Sequence, residues 1–332
     1  MHPHCRTALA VAACLLTLNP LFAQGPVKIG TIAPQNSIYV KTLHEMGEGW
    51  RSRTSGRVTY TILAGADESE EGMLRNMRPN FRKLHAAQLS AITLSNLDDA
   101  FNVFGLPMFF ESYAEVDRVL DKVGPVLERR LEAKGYKLLN WGYVGWVHVF
   151  STSPVKTVED LKRLKLYTST GDDRLARWYK NNGFTAVQID STAIVTSLKT
   201  SMIEAVPSPP LLAQLLTWYR SAPYMMDLGF APLLGATVIS TERWNAVTAA
   251  DQAIVIDEAR KAGARLRAEV PRLDREAIEA MRARGLTVTN ANVADWRRLA
   301  EQLGDSMRRD GVVPGDIYEL AKRERDVVRS GR

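Results

Sequence analysis

From residue 27 onward the apolar positions alternate between a two-residue period and a helical one. VKIGTIA (27–33) and VTYTIL (58–63) read as strands, and residues 38–54 carry a helical stripe closed by Gly56. A further helix is predicted from Glu70 to Met77. GLPMFF then leads into the amphipathic stretch YAEVDRVLDKVGPVLERRLEAKG, which should be interrupted or kinked near Gly124-Pro125. YKLLNWGYVGWVHVFS (136–151) is rich in aromatics and valine and reads as one or two strands. A second cycle follows Ser153-Pro154. VEDLKRLKLYTS gives a short helix and a strand, DDRLARWYKNNG a helix capped by Gly183, TAVQI a strand and STAIVTSLKTS a helix. From Thr248 a long helix begins with a capping-box-like start, and Pro271 should break or kink it. NVADWRRLAEQLGDSMRRD and DIYELAKRERDVVR are two further polar helices. This order argues an α/β protein with helices on the faces of a sheet.

Length makes that picture two-lobed, since 332 residues are many for a single core. Composition is that of an ordinary globular chain, 45% hydrophobic and 24% charged. The N-terminus adds a compartment. MHPHCR, the apolar run 8–18 and Leu21-Phe22-Ala23 are laid out as a secretory signal peptide over 1–23, with cleavage after Ala23. The run is too short to span a bilayer comfortably, which takes ~20 apolar residues. A periplasmic location is expected. Both cysteines, Cys5 and Cys14, fall inside that segment, so the mature chain has no disulfide and no thiolate chemistry. The formal charge of +6 comes from basic residues interleaved with acidic ones, a solvated surface rather than a nucleic-acid face.

Catalytic signatures are missing: there is no GxGxxG, GxxxxGK[ST], HExxH or GxSxG. Ser153-Pro-Val-Lys156 matches SxxK only in a proline-bearing loop. His44, His85 and His148 are widely separated and have no carboxylates at ligand spacing. Neither an enzyme nor a cofactor or metal site is expected. In LKLYTSTGDD (164–173), Gly171, Asp172 and Asp173 read as a helix start capped by Ser169 or Thr170. Adjacent carboxylates diverge by ~100° around a helix and do not converge on one ion. A strand end feeding a helix start is nonetheless where α/β sheets bind ligands. LLTWYRSAPYMMDLGFAPLLG (215–235) holds Trp218, Tyr219, Tyr224, Met225 and Met226, which read as core or as the wall of an apolar cleft.

Five stretches in order resemble the DctP family, the solute-binding proteins of tripartite ATP-independent periplasmic (TRAP) transporters. They are GMLRNMR (72–78), LPMFFESYAEV (106–116), VEDLKRLKLYTS (158–169), SLKTSMIEAVPSPP (197–210) and STERWNAVTAADQAIVIDEA (240–259). The resemblance runs from about Val27 to about Met307. It implies a two-lobed periplasmic-binding-protein fold with hinge strands and a long lobe-spanning helix. Lobe I would take 24–147 plus about 235–260, lobe II 148–234, and the C-terminal helices 261–332 would pack on both. It also implies a solute held in the interlobe cleft and delivered to a membrane permease.

Three family anchors are replaced here. Tyr167 stands where the family carries its carboxylate-binding arginine, Val147 where a second arginine falls, and Ser208 where an asparagine falls. The expected solute is therefore hydrophobic, neutral or lipid-like rather than a simple dicarboxylate, as in a family subset lacking the arginine that can partner a tetratricopeptide-repeat protein. The expected binding residues are Tyr167, Trp146, Ser169 and Ser208, then Pro209, Trp218 and Tyr224, with Tyr39 and Ser69. Two rival readings stand beside this one. One is an exported lipid carrier without a permease. The other is an organic-acid binder in which Arg75, Arg78, Arg174 or Arg177 restores the clamp.

Overall fold

The computed structural model describes residues 25–65, 68–170 and 173–331. The signal segment with Cys5 and Cys14, and the Gly171-Asp172 pair, lie outside the described residues.

The first cycle is β1 (Val27–Thr31), α1 (Ile38–Arg53), β2 (Tyr60–Ala64), α2 (Glu70–Asn76), β3 (Ala86–Ser90) and α3 (Ala91–Ser95), followed by α4 (Tyr113–Ala133) and β4 (Tyr136–Ser151). The second cycle is α5 (Val158–Lys162), β5 (Lys165–Ser169), α6 (Asp173–Asn181), β6 (Thr185–Ile189), α7 (Ile194–Lys199), β7 (Ala205–Ser208), α8 (Pro210–Leu215) and β8 (Tyr224–Met226). Then come β9 (Ala231–Ser240), α9 (Thr241–Asn245), α10 (Ala249–Arg282), β10 (Thr287–Thr289), α11 (Val293–Arg309) and α12 (Gly315–Ser330). Helix starts follow local chemistry. Ser37, Ser69, Ser90, Ser112, Thr157, Ser240 and Thr248 each accept a hydrogen bond from the backbone N–H three residues on.

The strands form one path in the order β2-β1-β3-β9-β4-β7-β5-β6, bent into two halves that share β4. Over Tyr136–Val147 this strand pairs antiparallel with β9, and over His148–Ser151 with β7. It is thus one sixteen-residue strand that passes from one lobe to the other. Its register slips between Tyr143 and Gly145. There Gly145 has φ +137, and a Cβ would run into the Asp274 carboxylate and Pro209, so glycine is required.

Pro125 and Pro271 do not end their helices. α4 and α10 run through them, and α10 reaches 34 residues. An interior proline costs ~3 kcal/mol. Against that cost α10 buries Val255, Ala259, Leu266, Val270, Ala277 and Met281, and α4 buries Val116, Val119, Val123, Leu127 and Leu131. Close packing is visible at Gly263, where a Cβ would meet the Trp141 carbonyl of β4.

The tail touches both lobes. Trp296 of α11 is buried and donates from Nε1 to the Lys156 carbonyl at 2.9 Å. α12 lies along α4, where Arg329 pairs with the fully buried Glu115 at 3.2 Å and Arg118 with Glu324 at 2.8 Å. β10 adds a short parallel strand to β8, an element the sequence pattern does not announce. Among the described residues no helix is long and apolar enough to cross a membrane.

Candidate functional site

The strands of each lobe end facing one cavity of about 310 Å3. One wall is built by Thr31 at the end of β1, Gln88 to Ser90 at the end of β3, and the first turn of α2. The other is built by Tyr167 to Ser169 at the end of β5 and by Pro207 and Ser208 of β7. Carboxyl ends of parallel strands are where open α/β sheets take ligands. Aromatic and aliphatic side chains fill in the rest, among them Phe101, Phe104, Trp178, Tyr179 and, from the C-terminal tail, Leu303 and Met307.

Of the nine residues expected from the sequence, Tyr39, Tyr167, Ser169, Ser208, Pro209 and Trp218 line the cavity. Trp146, Ser69 and Tyr224 do not. Trp146 sits next to the register slip, and alternation along a strand sends neighbouring side chains to opposite faces. Val147 therefore lines the cavity, while Trp146 packs edge-on against Tyr113 with ring centroids 5.3 Å apart. Ser69 caps α2 and is hydrogen-bonded to Asp190 of the other lobe, at the rim. Tyr224 starts the three-residue β8, held between Ser151 and Thr287. Met225 and Met226 beside it are fully buried core.

Tyr167, Val147 and Ser208 thus meet in one cavity. Burial pushes the Tyr167 hydroxyl pKa up, Ser169 pulls it back, and Glu71 and Glu70 add to the rise. Ser169 Oγ donates to Glu71 Oε1 at 2.5 Å, joining the lobes directly. Ser208 Oγ donates to the Pro209 carbonyl at 3.0 Å. The Tyr39 hydroxyl donates to the Val144 carbonyl at 2.8 Å, which leaves its ring to face the cavity. Burial first, and then Asp274 and Tyr113, hold that hydroxyl well above its ordinary pKa.

No lysine, arginine or histidine is among the described lining residues. Arg75 pairs with Glu68 at 3.3 Å, Arg78 reaches Tyr136, and Arg177 is exposed on α6. The side chain of Arg174 lies outside the described residues.

Sequence reasoning missed the carboxylates. Glu70 and Glu71 both line the cavity. Burial pushes the Glu70 pKa up and Glu71 adds to it, while hydrogen bonds from Ser90 and Thr93 pull it back. Read along the chain, the pair is an ordinary acidic first turn. The signal that could have found it is position, since this helix start follows a strand of lobe I. β3 was missed too, and with it Gln88 and Ser90. Chemically the described lining residues offer apolar contact and, at Glu70 and Glu71, hydrogen-bond acceptors.

A 2,3-diketo-L-gulonate-binding periplasmic protein of Escherichia coli is 27% identical over 218 residues, which span 64% of this chain and 65% of that protein. The chain thus covers just under two thirds of that relative's length. A TRAP periplasmic solute-binding protein of Desulfovibrio salexigens, solved with orotic acid, superposes with a TM-score of 0.84 at 16% identity, covering 92% of this chain and all of that one. A TRAP solute-binding protein of Pseudomonas putida, solved with D-glucuronate, superposes with a TM-score of 0.82 at 20% identity, covering 90% and 96%. Family and neighbours are solute-binding proteins, not enzymes. The family model for DctP, bacterial extracellular solute-binding protein family 7, matches residues 29–310, and the chain belongs to that family.

Proposed function

We propose that this protein is the periplasmic solute-binding subunit of a TRAP-type transporter, that its solute has a largely apolar body, and that it refuses simple dicarboxylates. The lobes close over the solute, and the closed form docks on a membrane permease. The observation that carries the reading is the cavity wall: Tyr167, Val147 and Ser208, which the resemblance sets at the family's anchor positions, line it, and no cationic side chain is among the described lining residues. A carboxylate buried there without a partner would cost several kcal/mol. Apolar contact instead contributes ~25 cal/mol per Å2 buried. The acids held by the relatives above are thus poor models for this solute. The signal segment supports export to the periplasm. A tetratricopeptide-repeat accessory protein rests on the resemblance alone.

Native mass spectrometry of the protein purified from its host, with extraction of the bound molecule, tests the reading directly. Thermal shifts against D-glucuronate, orotate, 2,3-diketo-L-gulonate and succinate complete it. An apolar molecule carried through purification, with no shift from the four acids, is the expected result. Tight binding of any of them, lost on removing Arg174, would establish a relocated clamp and overturn the proposal. Uptake that persists after deletion of the permease would favour a free-standing carrier.

A further inference from the structure

Asp274 of α10 is buried behind the cavity and is not part of its lining. Its Oδ2 accepts from the Trp146 N–H at 3.1 Å and its Oδ1 from the Leu211 N–H at 2.9 Å. Those two donors belong to different halves of the bent sheet. Trp146 lies in the stretch of β4 that pairs with β9, on the lobe I side. Leu211 is in the first turn of α8, directly after β7, which pairs with the lobe II end of β4. α8 has no side-chain cap of its own, so Asp274 caps it from another element. Gly145, with its φ of +137, stands beside the carboxylate at the register slip.

A buried carboxylate is costly to keep without a paired cation, and the neighbouring Arg275 acts on this one only through space. What a carboxylate offers here is an acceptor on each oxygen, one for each half of the molecule. If lobe II swings away about Gly145, the two donors separate, and a short side chain cannot follow both. Behind the cavity the carboxylate stays dry, so opening removes a hydrogen bond without replacing it by water.

We infer that Asp274 is a positioning residue for lobe closure: ionised, it ties one N–H from each lobe and favours the closed form; protonated, it keeps one acceptor and lets the lobes part. This rests on the reading that the lobes open and close around a solute. The sign of the pH dependence follows from the bonds. Burial raises the carboxyl to about 6, while the Leu211 and Trp146 N–H groups pull it down. Losing one of them on opening raises it further, so the closed form binds fewer protons than the open one. The advantage of closure is then full above the pKa of the open form and lost as pH falls to about 6. Tyr39 of α1 and Tyr113 of α4 also face the group. Burial holds both hydroxyls above their ordinary range, so they stay neutral, and Arg275 stays charged.

Energy transfer between single dyes tests this on the ligand-free protein. Lys41→Cys on α1 and Lys199→Cys on α7, both exposed, place one dye on each lobe, and the two native cysteines fall in the signal segment. From about pH 5 to about pH 8 the ratio of closed to open molecules should rise by about 10-fold, the worth of one hydrogen bond to a charged group. Asp274→Asn should hold the ratio near its acid value throughout. Glu71→Gln, which removes a carboxylate joining the lobes at the rim, should keep the rise. A wild-type ratio that is flat, or that falls as pH rises, overturns the inference and leaves lobe motion standing. So does a rise that persists in Asp274→Asn or vanishes in Glu71→Gln. A single transfer efficiency at every pH would show lobes that do not move, and would overturn the closure reading as well.

Discussion

At position 167 an arginine and a tyrosine make opposite demands on the cavity. An arginine would need an anion to pair with; the tyrosine adds ring area and a hydroxyl whose pKa burial has raised. Tyr167→Arg should therefore weaken the native solute by about 10-fold or more, because the ring's apolar contact is lost and a charge, drawn toward Glu70 and Glu71, is set against the solute's apolar body. Titration of the co-purified molecule into wild type and variant measures this, and equal affinity would place the solute away from β5. Asp274 of α10 makes a different demand. Its carboxylate is 7% exposed and accepts from the Trp146 N–H of the hinge strand at 3.1 Å and the Leu211 N–H of α8 at 2.9 Å. Burial pushes its pKa up to about 6, despite those two bonds. A carboxyl raised in the fold contributes stability that is fully present below its unfolded pKa and lost as pH rises through the folded one. Between about pH 4 and pH 6 the fold should thus lose on the order of 3 kcal/mol from this group. Asp274→Asn should flatten that slope in urea unfolding measured across pH. At pH 7 it should cost about 1–3 kcal/mol, because its amide presents only one acceptor to two N–H donors. Among single residues, Tyr167, Ser169, Ser208 and Pro209, expected in the cleft from the family resemblance, line the cavity. Trp146 was displaced by one position because a register slip is invisible in a string of valines and aromatics.

Among the elements, strong periodicity was readable and its absence was misleading. The helices at 38–54 and 113–135 and the long helix after Thr248 were predicted from their stripes, and they are present as α1, α4 and α10. β3 and β9 were not. AAQLS has no β-branched residue, and APLLGATVIS contains a proline and a glycine and is buried along nearly its whole length, so neither shows alternation. These two strands form the centre of lobe I with β4. Of the break or kink expected at Pro125 and Pro271, the break does not occur in α4 or α10, since a long buried face outweighs one missing hydrogen bond. That balance is testable at Pro271. Pro271→Ala restores an N–H and should stabilise the protein by up to about 3 kcal/mol, read as a higher midpoint in urea. A lower midpoint would show that packing against β4 depends on the shape proline gives the helix. Gly145→Ala acts at the hinge itself. Its φ of +137 excludes a side chain, and the alanine methyl would strike Asp274 and Pro209, so a loss of about 1–3 kcal/mol or more is expected from the same unfolding measurement.

Over the whole molecule, length and alternation were enough for two lobes, because each cycle of strands and helices is long enough to bury its own core. How the lobes meet was not legible, since their contacts join residues far apart in sequence. Ser169 to Glu71 spans 98 positions, and Ser69 to Asp190 crosses the same rim. α11 brings Leu299, Leu303 and Met307 to the cavity from the end of the chain. The lobes are thus held together by a few polar contacts at one rim and by a tail that packs against both. A hydrogen bond to a charged acceptor contributes roughly 1.5–3 kcal/mol, and here it forms only when the lobes are together. Ser169→Ala removes it. The ratio of closed to open protein should fall by about 10-fold or more, by the same energies. Small-angle scattering of the ligand-free protein should then show a larger radius of gyration than wild type. Saturating solute should restore the compact profile, because differential affinity for the closed state pulls the equilibrium back. An unchanged profile in the ligand-free variant would locate the closing force in the tail, where α11 sets Trp296 against the Lys156 carbonyl and brings Leu303 and Met307 to the cavity.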